Sequence, residues 1–95
     1  MKLVRQRSYV LALQNILRYI AQDNPLAAMQ FERELSARLE LICTNPEMCR
    51  ASSYMDDPRY RDMIYQGYTL IYKIGANQIV LLDIFKWQLR SKKAP

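Results

Sequence analysis

The sequence predicts an α+β fold in which a hairpin of two helices packs on a small, mainly antiparallel β-sheet. Two apolar stripes with helical spacing lie on either side of a short turn within residues 19–28. Strand-like segments separated by short turns follow toward the C-terminus, and a weakly alternating segment precedes the helices. The predicted order is therefore β-α-α-β-β-β, with the hairpin lying on one face of the sheet.

Length and composition indicate a single globular domain. The 95 residues suit one domain over residues 1–95, and 51% of them are apolar, as expected for a folded chain. The net charge of +5 favours an acidic partner or a nucleic acid over a neutral one.

Missing residue types exclude several classes of site. The chain has no histidine, which removes zinc proteases of the HExxH type and the Ser–His–Asp triad. Cys43 and Cys49 do not make a zinc site without further ligands, so we expect two reduced thiols, no metal and no cofactor. The sequence shows no signal peptide and no apolar run long enough for a bilayer, so we expect a cytoplasmic protein without membrane contact.

The first strand and the first helix are predicted at the N-terminus. Residues from Lys2 to Arg7 alternate weakly, as in a strand. Ser8 is the predicted N-cap of the first helix, because a hydroxyl at that position accepts a bond from a free backbone N–H. We expect this helix to end near Ala21, with four apolar residues facing inward: Leu13, Ile16, Leu17 and Ile20.

The second helix is predicted from Pro25 to about Thr44. Asn24 is its expected cap, and proline suits the first helical position, where no N–H is needed. Asn45-Pro46 ends the helix, because proline disfavours helical geometry in the residue before it. Five apolar residues at steps of three and four form its inward stripe: Ala28, Phe31, Leu35, Leu39 and Ile42.

An antiparallel meander is predicted to complete the sheet, with strands at Tyr60 to Tyr65, Tyr68 to Ile74 and Gln78 to Phe85. The turn at Gly75-Ala76-Asn77 contains a glycine and an asparagine that are able to adopt positive φ. The unbroken apolar run of the last strand predicts burial on both faces. We expect the first strand to pair at an edge, and residues 47–58 to form a loop that ends in turn residues at Asp56-Asp57-Pro58.

Tyrosines are concentrated in the meander, at Tyr60, Tyr65, Tyr68 and Tyr72. Aromatic residues favour strands and pack with a polar tip exposed, so the first interpretation is structural. The alternative is a surface where Tyr68 or Tyr72, with Arg59 or Arg61, stacks on bases or binds phosphate.

The segment from Phe85 to Lys93 contains the only tryptophan, Trp87, among four cations. One interpretation is a solubilising tail in which Trp87 closes the core. The alternative is an interaction epitope, because Trp and Arg are frequent binding hot spots.

Some apolar residues exceed what one small sheet can cover. Methionine at such positions usually fills gaps in a core. If they stay exposed, these residues form a groove for an amphipathic partner helix. They are Leu3, Val4, Leu11, Met29 and Met48.

Four parts of the sequence carry a family resemblance. They are Tyr19 to Pro25 with Ala27-Ala28, Asn45-Pro46-Glu47-Met48, Arg61, and Tyr68-Thr69-Leu70-Ile71-Tyr72-Lys73. Together they resemble the RelE/ParE superfamily of bacterial toxins, the toxic halves of type II toxin–antitoxin modules. The resemblance covers nearly the whole chain, and the helix-joining segment and the long second helix look more like the ParE branch.

Three positions depart from the family pattern. Ala12 stands where an acidic residue is common, Cys49 where a glycine often follows the Asn-Pro-Glu-Met segment, and Lys86 where many members have a histidine. The last departure removes a group able to act as acid or base near neutral pH.

The ParE-like resemblance implies a toxin that inhibits DNA gyrase and arrests growth without catalysis of its own, in a module for plasmid or chromosomal stability. We expect Lys86, Trp87 and Arg90 to bind the target. The RelE-like alternative implies a ribosome-dependent mRNA endoribonuclease. In that enzyme Arg61, Tyr68, Lys86 and Arg90 would converge on the substrate, where a cation stabilises charge developing on phosphate. We favour the gyrase inhibitor over the enzyme, and a non-toxic adaptor that binds a partner helix is the third hypothesis.

The same resemblance implies a cognate antitoxin whose acidic C-terminal segment folds along the toxin. The positive net charge suits such a segment. Operator DNA would be contacted only indirectly, through the antitoxin. The expected antitoxin contacts are Leu3, Leu11, Met29 and Met48.

Overall fold

A computed structural model, which describes residues 1–86, confirms the α+β class and the predicted element order. One short strand, Arg50–Ala51, lies inside the segment predicted as a loop. Neither helix of the described part combines the length and the apolar character that a membrane span requires. The elements are β1 (Lys2–Arg5), α1 (Arg7–Asp23), α2 (Pro25–Thr44), β2 (Arg50–Ala51), β3 (Tyr60–Tyr65), β4 (Tyr68–Ile74) and β5 (Gln78–Lys86).

The strands form one five-stranded sheet in the order β1-β5-β4-β3-β2. Strand β1 lies at one edge, as predicted, and its pairing with β5 is parallel, whereas the other pairs are antiparallel. The register between β4 and β5 shifts at Ile71/Tyr72. Because this bulge interrupts the alternation of side chains, Leu81 and Ile84 both face the core although they are an odd number of residues apart. Val80 and Leu82 are half-buried, so the prediction of burial on both faces of the last strand is confirmed only in part.

The predicted N-cap of the first helix is wrong. The backbone N–H of Gln6 still donates to the Leu81 carbonyl oxygen at 3.0 Å, so the chain leaves the sheet at this residue and α1 begins directly after it. Gln6 is therefore the cap residue, and its side chain makes no capping bond. Ser8 lies inside the helix, where its hydroxyl donates to the Leu82 carbonyl oxygen at 2.6 Å and ties α1 to β5.

The second helix matches its prediction at both ends. The Asn24 side chain accepts a hydrogen bond from the Ala27 backbone N–H at 3.1 Å, and Pro25 occupies the first turn. The helix ends at Thr44, before Asn45-Pro46. All residues of the predicted inward stripe are buried: Ala28, Phe31, Leu35, Leu39 and Ile42.

The core lies between the helices and one face of the sheet. The Phe31 ring contacts the rings of Tyr65 and Tyr68, with centroids 5.1 and 5.4 Å apart. Tyr72 and Tyr9 are also fully buried, and Tyr9 was absent from the predicted inward stripe of the first helix. The structural interpretation of the meander tyrosines is confirmed for these positions, although the side chains are buried whole and not with exposed tips.

Part of the opposite face of the sheet, around Asp62 and Phe85, is covered by the segment predicted as a loop. The Ser53 backbone N–H and hydroxyl donate to Asp62 Oδ2 at 2.9 and 3.2 Å. The Tyr54 ring meets the Phe85 ring edge-on, with centroids 5.3 Å apart. Asp62 is therefore buried on this face and anchors the segment to β3.

Positive φ angles occur at only one turn of residues 1–86. Gln66 has φ 49° and Gly67 has φ 83°, as a tight turn between antiparallel strands requires. Gly75 and Asn77, which are able to adopt positive φ, do not adopt it here. Both cysteines are free thiols.

Candidate functional site

The start of β4 and the end of β5 bring together two of the residues predicted for function. Tyr68, the first residue of β4, lies directly opposite Lys86, the last residue of β5. Directly opposite residues of an antiparallel pair project from the same face of the sheet. Lys86 is exposed, so its ammonium group is accessible at this edge of the molecule.

Tyr68 is held firmly behind Lys86. Its side chain is 8% exposed, and its ring packs edge-on against Phe31. The next strand adds Tyr65, whose hydroxyl donates to Glu34 Oε1 at 2.9 Å. Burial, and next this hydrogen bond, raise the pKa of Tyr65 to about 12. Tyr65 is therefore a neutral phenol at physiological pH and supports the site without carrying charge.

Arg61 lies apart from this pair. It is opposite Tyr72 and four residues along β3 from Tyr65, the partner of Tyr68. At the usual rise of a strand that spacing is about 13 Å. The Arg61 guanidinium donates to the Cys49 carbonyl oxygen at 3.0 Å and to the Pro58 carbonyl oxygen at 3.2 Å. The structure thus groups Tyr68 with Lys86 and leaves Arg61 holding two backbone segments together.

The remaining predicted target-binding residues, Trp87 and Arg90, lie outside the described residues. Lys86 is therefore the predicted target contact whose position the structure gives. It continues directly into the segment of aromatic and cationic residues that the sequence singled out.

The structure contradicts the proposed stacking surface at Tyr72. This side chain is fully buried, and its hydroxyl donates to the Pro46 carbonyl oxygen at 2.7 Å. Burial and the neighbouring Cys49 thiol raise the pKa of Tyr72. The guanidinium of Arg59 is paired with Asp57 at 2.8 Å, and its hydrogen bonds lower the pKa of that carboxyl group from 3.8 to about 2.

The apolar residues predicted to bind a partner occupy separate places. Leu11, Met29 and Met48 are exposed, whereas Leu3 packs partly buried against the core. Val4 is also half-buried, so β1 contributes less exposed surface than expected.

Two cavities lie near opposite ends of α2. A cavity of about 520 Å³ at its C-terminal end is lined by Met48, Pro46 and Ile74, among others. A smaller one of about 240 Å³ near its N-terminal end is lined by Leu26, Met29, Gln30 and Arg33. The exposed apolar surface is therefore distributed along α2 and does not form one groove beside the hairpin.

Sequence reasoning missed two further exposed apolar residues, Leu26 and Leu41. The signal was available in the sequence, because both lie on the side of the second helix away from its inward stripe. Within residues 1–86, no group of three or more His, Cys, Asp or Glu side chains is placed to hold a metal ion.

Comparisons with known proteins agree with this fold. The sequence profile of a family described as "ParE toxin of type II toxin-antitoxin system, parDE" matches residues 7–87. A solved structure described as "Chromosomal ParDE TA system from P. aeruginosa" superposes with a TM-score of 0.73 at 17% identity. That alignment covers 93% of this chain and 97% of the other. No curated protein matches the chain.

Proposed function

The chain belongs to the ParE toxin family of type II toxin–antitoxin systems, and on that premise we propose that it inhibits DNA gyrase and is neutralised by a cognate antitoxin. The observation that carries the proposal is the family match, which extends over nearly all of the described fold and into the sequence after β5. Gyrase acts in the cytoplasm, and we place the toxin there with its target.

The target-binding surface is proposed at Lys86 together with Trp87 and Arg90. Lys86 is exposed at the end of β5 and forms no ion pair with another residue of the described part. An ammonium group beside cationic and aromatic residues suits a target surface that carries acidic side chains. Inhibition by this surface requires binding alone and no bond-making step.

The geometry favours inhibition over RNA cleavage. Cleavage requires a group that activates the ribose hydroxyl and a cation that stabilises charge on phosphate. The Arg61 guanidinium is held by two backbone carbonyl oxygens, away from Lys86. Among the described residues the predicted catalytic group is therefore not assembled in one place.

One observation supports the ribosome-dependent endoribonuclease as the second candidate. Tyr68 and Lys86 are directly opposite each other and share one face of the sheet. A phenol and an ammonium group in that arrangement, completed by Arg90, are the side chains that the RelE-like alternative uses. The two functions therefore share Lys86 and differ in what Tyr68 contributes.

The antitoxin is proposed to be an acidic segment that covers Leu3, Leu11, Met29 and Met48. The three exposed members supply apolar area on different parts of the helical layer and at the end of α2. An extended or helical segment is the kind of partner that reaches such separate contacts, because it wraps a large surface. The net charge of +5 accelerates its association.

A supercoiling assay with purified gyrase tests the proposed target. The folded toxin should inhibit supercoiling in proportion to its concentration. Prior mixing of the toxin with its antitoxin, the product of a short acidic reading frame beside the toxin gene, should restore supercoiling. Normal supercoiling at saturating toxin, with a native circular dichroism spectrum, would contradict gyrase inhibition. Cleavage of translated mRNA at codon-phased positions in that case would identify the endoribonuclease.

A further inference from the structure

Helix α2 carries a second face that nothing in residues 1–86 covers. Leu26 is 73% exposed, Met29 58% and Leu41 53%. At 100° per residue these positions lie within about 60° of the direction opposite the buried stripe. Leu26 and Thr44 are separated by about five helical turns, so they mark the two ends of the same face. Three large exposed apolar side chains on one helix face indicate an interaction surface.

Two opposite charges lie on this face, one on each half of the helix. Arg33 and Glu40 lie on opposite sides of a midpoint between Ser36 and Ala37, and all four residues are exposed. Arg33 and Glu40 are about 10 Å apart along the axis, which is too far for a direct pair within one helix. Neither forms an ion pair with another described residue. The face is therefore complementary in charge to a copy of itself that runs in the opposite direction.

The ends and the centre of the face fit the same arrangement. In an antiparallel pair centred between Ser36 and Ala37, Leu26 of one copy lies beside residues 47–48 of the other. Residues 44–48 line the cavity of about 520 Å³ at the end of α2, where Met48 and Ile74 offer apolar walls. The small side chain of Ala37, on this face near the crossing point, permits the close approach of two helix backbones.

We propose that two copies of this chain associate through their α2 helices as an antiparallel, twofold-symmetric pair. Each copy contributes Arg33 to the Glu40 of the other, so the contact contains two equivalent charge pairs, and it places Leu26 at the cavity of the opposite copy. An interface of this type is isologous, as in most homodimers. It is argued from α2 and from the cavity at its C-terminal end, and it does not depend on the proposed gyrase target or antitoxin.

The symmetry distinguishes a second copy from an unrelated partner helix. A helix of another protein needs only an apolar stripe to bind Leu26, Met29 and Leu41. An antiparallel second copy also pairs Arg33 with Glu40 twice, once at each end of the contact. The contact extends over a helix about 30 Å long and is small for a protein interface, so the dimer should dissociate on dilution. An antitoxin that binds Met29 and Met48 would compete with the second copy for this face.

Charge reversal and charge exchange test the proposal by sedimentation velocity of the full chain, at concentrations from about 10 µM to about 1 mM. The unmodified protein should convert from monomer to dimer over this range. Arg33→Glu and Glu40→Arg should each raise the dimer dissociation constant about tenfold or more, because each brings like charges together twice. The combined variant Arg33→Glu/Glu40→Arg should restore association to within about threefold of the unmodified protein.

Arg18→Glu on α1 is the matched control for net charge, and it should leave association unchanged. Ala37→Glu places two like charges at the twofold axis and should keep the protein monomeric, with helicity checked by circular dichroism. A monomer throughout the concentration range would overturn the proposal. A dimer that survives both single reversals, or that the combined variant does not restore, would also overturn it.

Discussion

The side-chain hydroxyl of Tyr72 donates a hydrogen bond to the backbone carbonyl oxygen of Pro46 across 2.7 Å, and so joins β4 to the chain just beyond α2. The Tyr72 side chain is fully buried, and the Arg61 guanidinium holds the carbonyl oxygen of the nearby Cys49. The segment after the second helix is therefore attached to the sheet through its backbone carbonyl oxygens. These acceptors do not depend on which side chains the segment carries.

Replacing Tyr72 with phenylalanine should destabilise the fold, because the Pro46 carbonyl oxygen loses its donor while the ring is kept. We expect a loss of about 1–2 kcal/mol in the free energy of unfolding. Chemical denaturation followed by circular dichroism measures it. Tyr19→Phe is the matched control, since the Tyr19 side chain is exposed and should lose almost nothing. Equal effects of both changes would show that the buried bond contributes no stability.

The Asn24 cap of the second helix should make its own measurable contribution to the free energy of unfolding. Asn24→Ala removes the acceptor for the Ala27 N–H, and we expect a loss of about 0.5–2 kcal/mol in the free energy of unfolding. Asn24→Asp keeps an acceptor oxygen and should be close to the unmodified protein. A comparable loss in the aspartate variant would mean that another property of Asn24 matters at this position.

Alkaline pH should unfold the protein through its buried tyrosines. The pKa values of Tyr9 and Tyr65 are raised from 10.0 to about 12, chiefly by burial. A raised pKa means that the unfolded chain releases these protons first, so their contribution to stability is complete below pH 10 and declines as pH rises toward about 12. Tyrosinate absorbance and circular dichroism, recorded together, should show these groups ionising late and with loss of structure. Ionisation of all seven tyrosines near pH 10 in a chain that stays folded would contradict this.

Lys86 should be required for target inhibition. Lys86→Glu reverses an exposed charge at the proposed target surface, and we expect at least about tenfold weaker inhibition of gyrase supercoiling, or about 1.4 kcal/mol in binding. Arg18→Glu makes the same charge change on α1 and should inhibit normally. If both variants lose activity equally, net charge and not the position of Lys86 governs inhibition.

Met48 should contribute to antitoxin affinity. It is exposed and lines the cavity at the end of α2. Met48→Ala should raise the antitoxin dissociation constant about tenfold, as expected for an apolar anchor. Ile64→Ala is the control, because Ile64 is an exposed apolar residue on β3 outside the proposed antitoxin contacts. Isothermal titration calorimetry with the purified antitoxin distinguishes the two, and unchanged affinity in both would remove Met48 from the antitoxin site.

The sequence was sufficient to predict structure wherever a residue interacts with residues close to it in the chain. The Asn24 cap, the proline at the start of α2 and the periodic stripe from Ala28 to Ile42 are all set by interactions within a few residues. The meander strands were predicted equally well, because short turns separate them and they are rich in aromatic and β-branched residues. The same logic failed at Ser8, whose hydroxyl bonds to a carbonyl oxygen of β5 far along the chain in place of a neighbouring N–H.

The candidate site shows the same division. Lys86 and the cationic segment after it were visible as a sequence anomaly, and the structure adds that Lys86 shares a strand end with Tyr68. Grouping Arg61 with them from the sequence ignored how far apart the two ends of a strand pair are. The exposed face of α2 was not predicted, because the helical period of apolar residues identifies the buried stripe and gives no role to Leu26 and Leu41.

The sequence by itself determined the class of fold, the bounds of α2 and the meander, and the resemblance that the family match confirmed, because these depend on local backbone preferences and on periodicity. Only the tertiary structure decided which tyrosines are buried whole, that residues 52–54 cover part of the outer face of the sheet, and that Arg61 is separated from Lys86. Those outcomes depend on strand order and register, which arise from contacts between distant residues and have no signature in a short window of sequence.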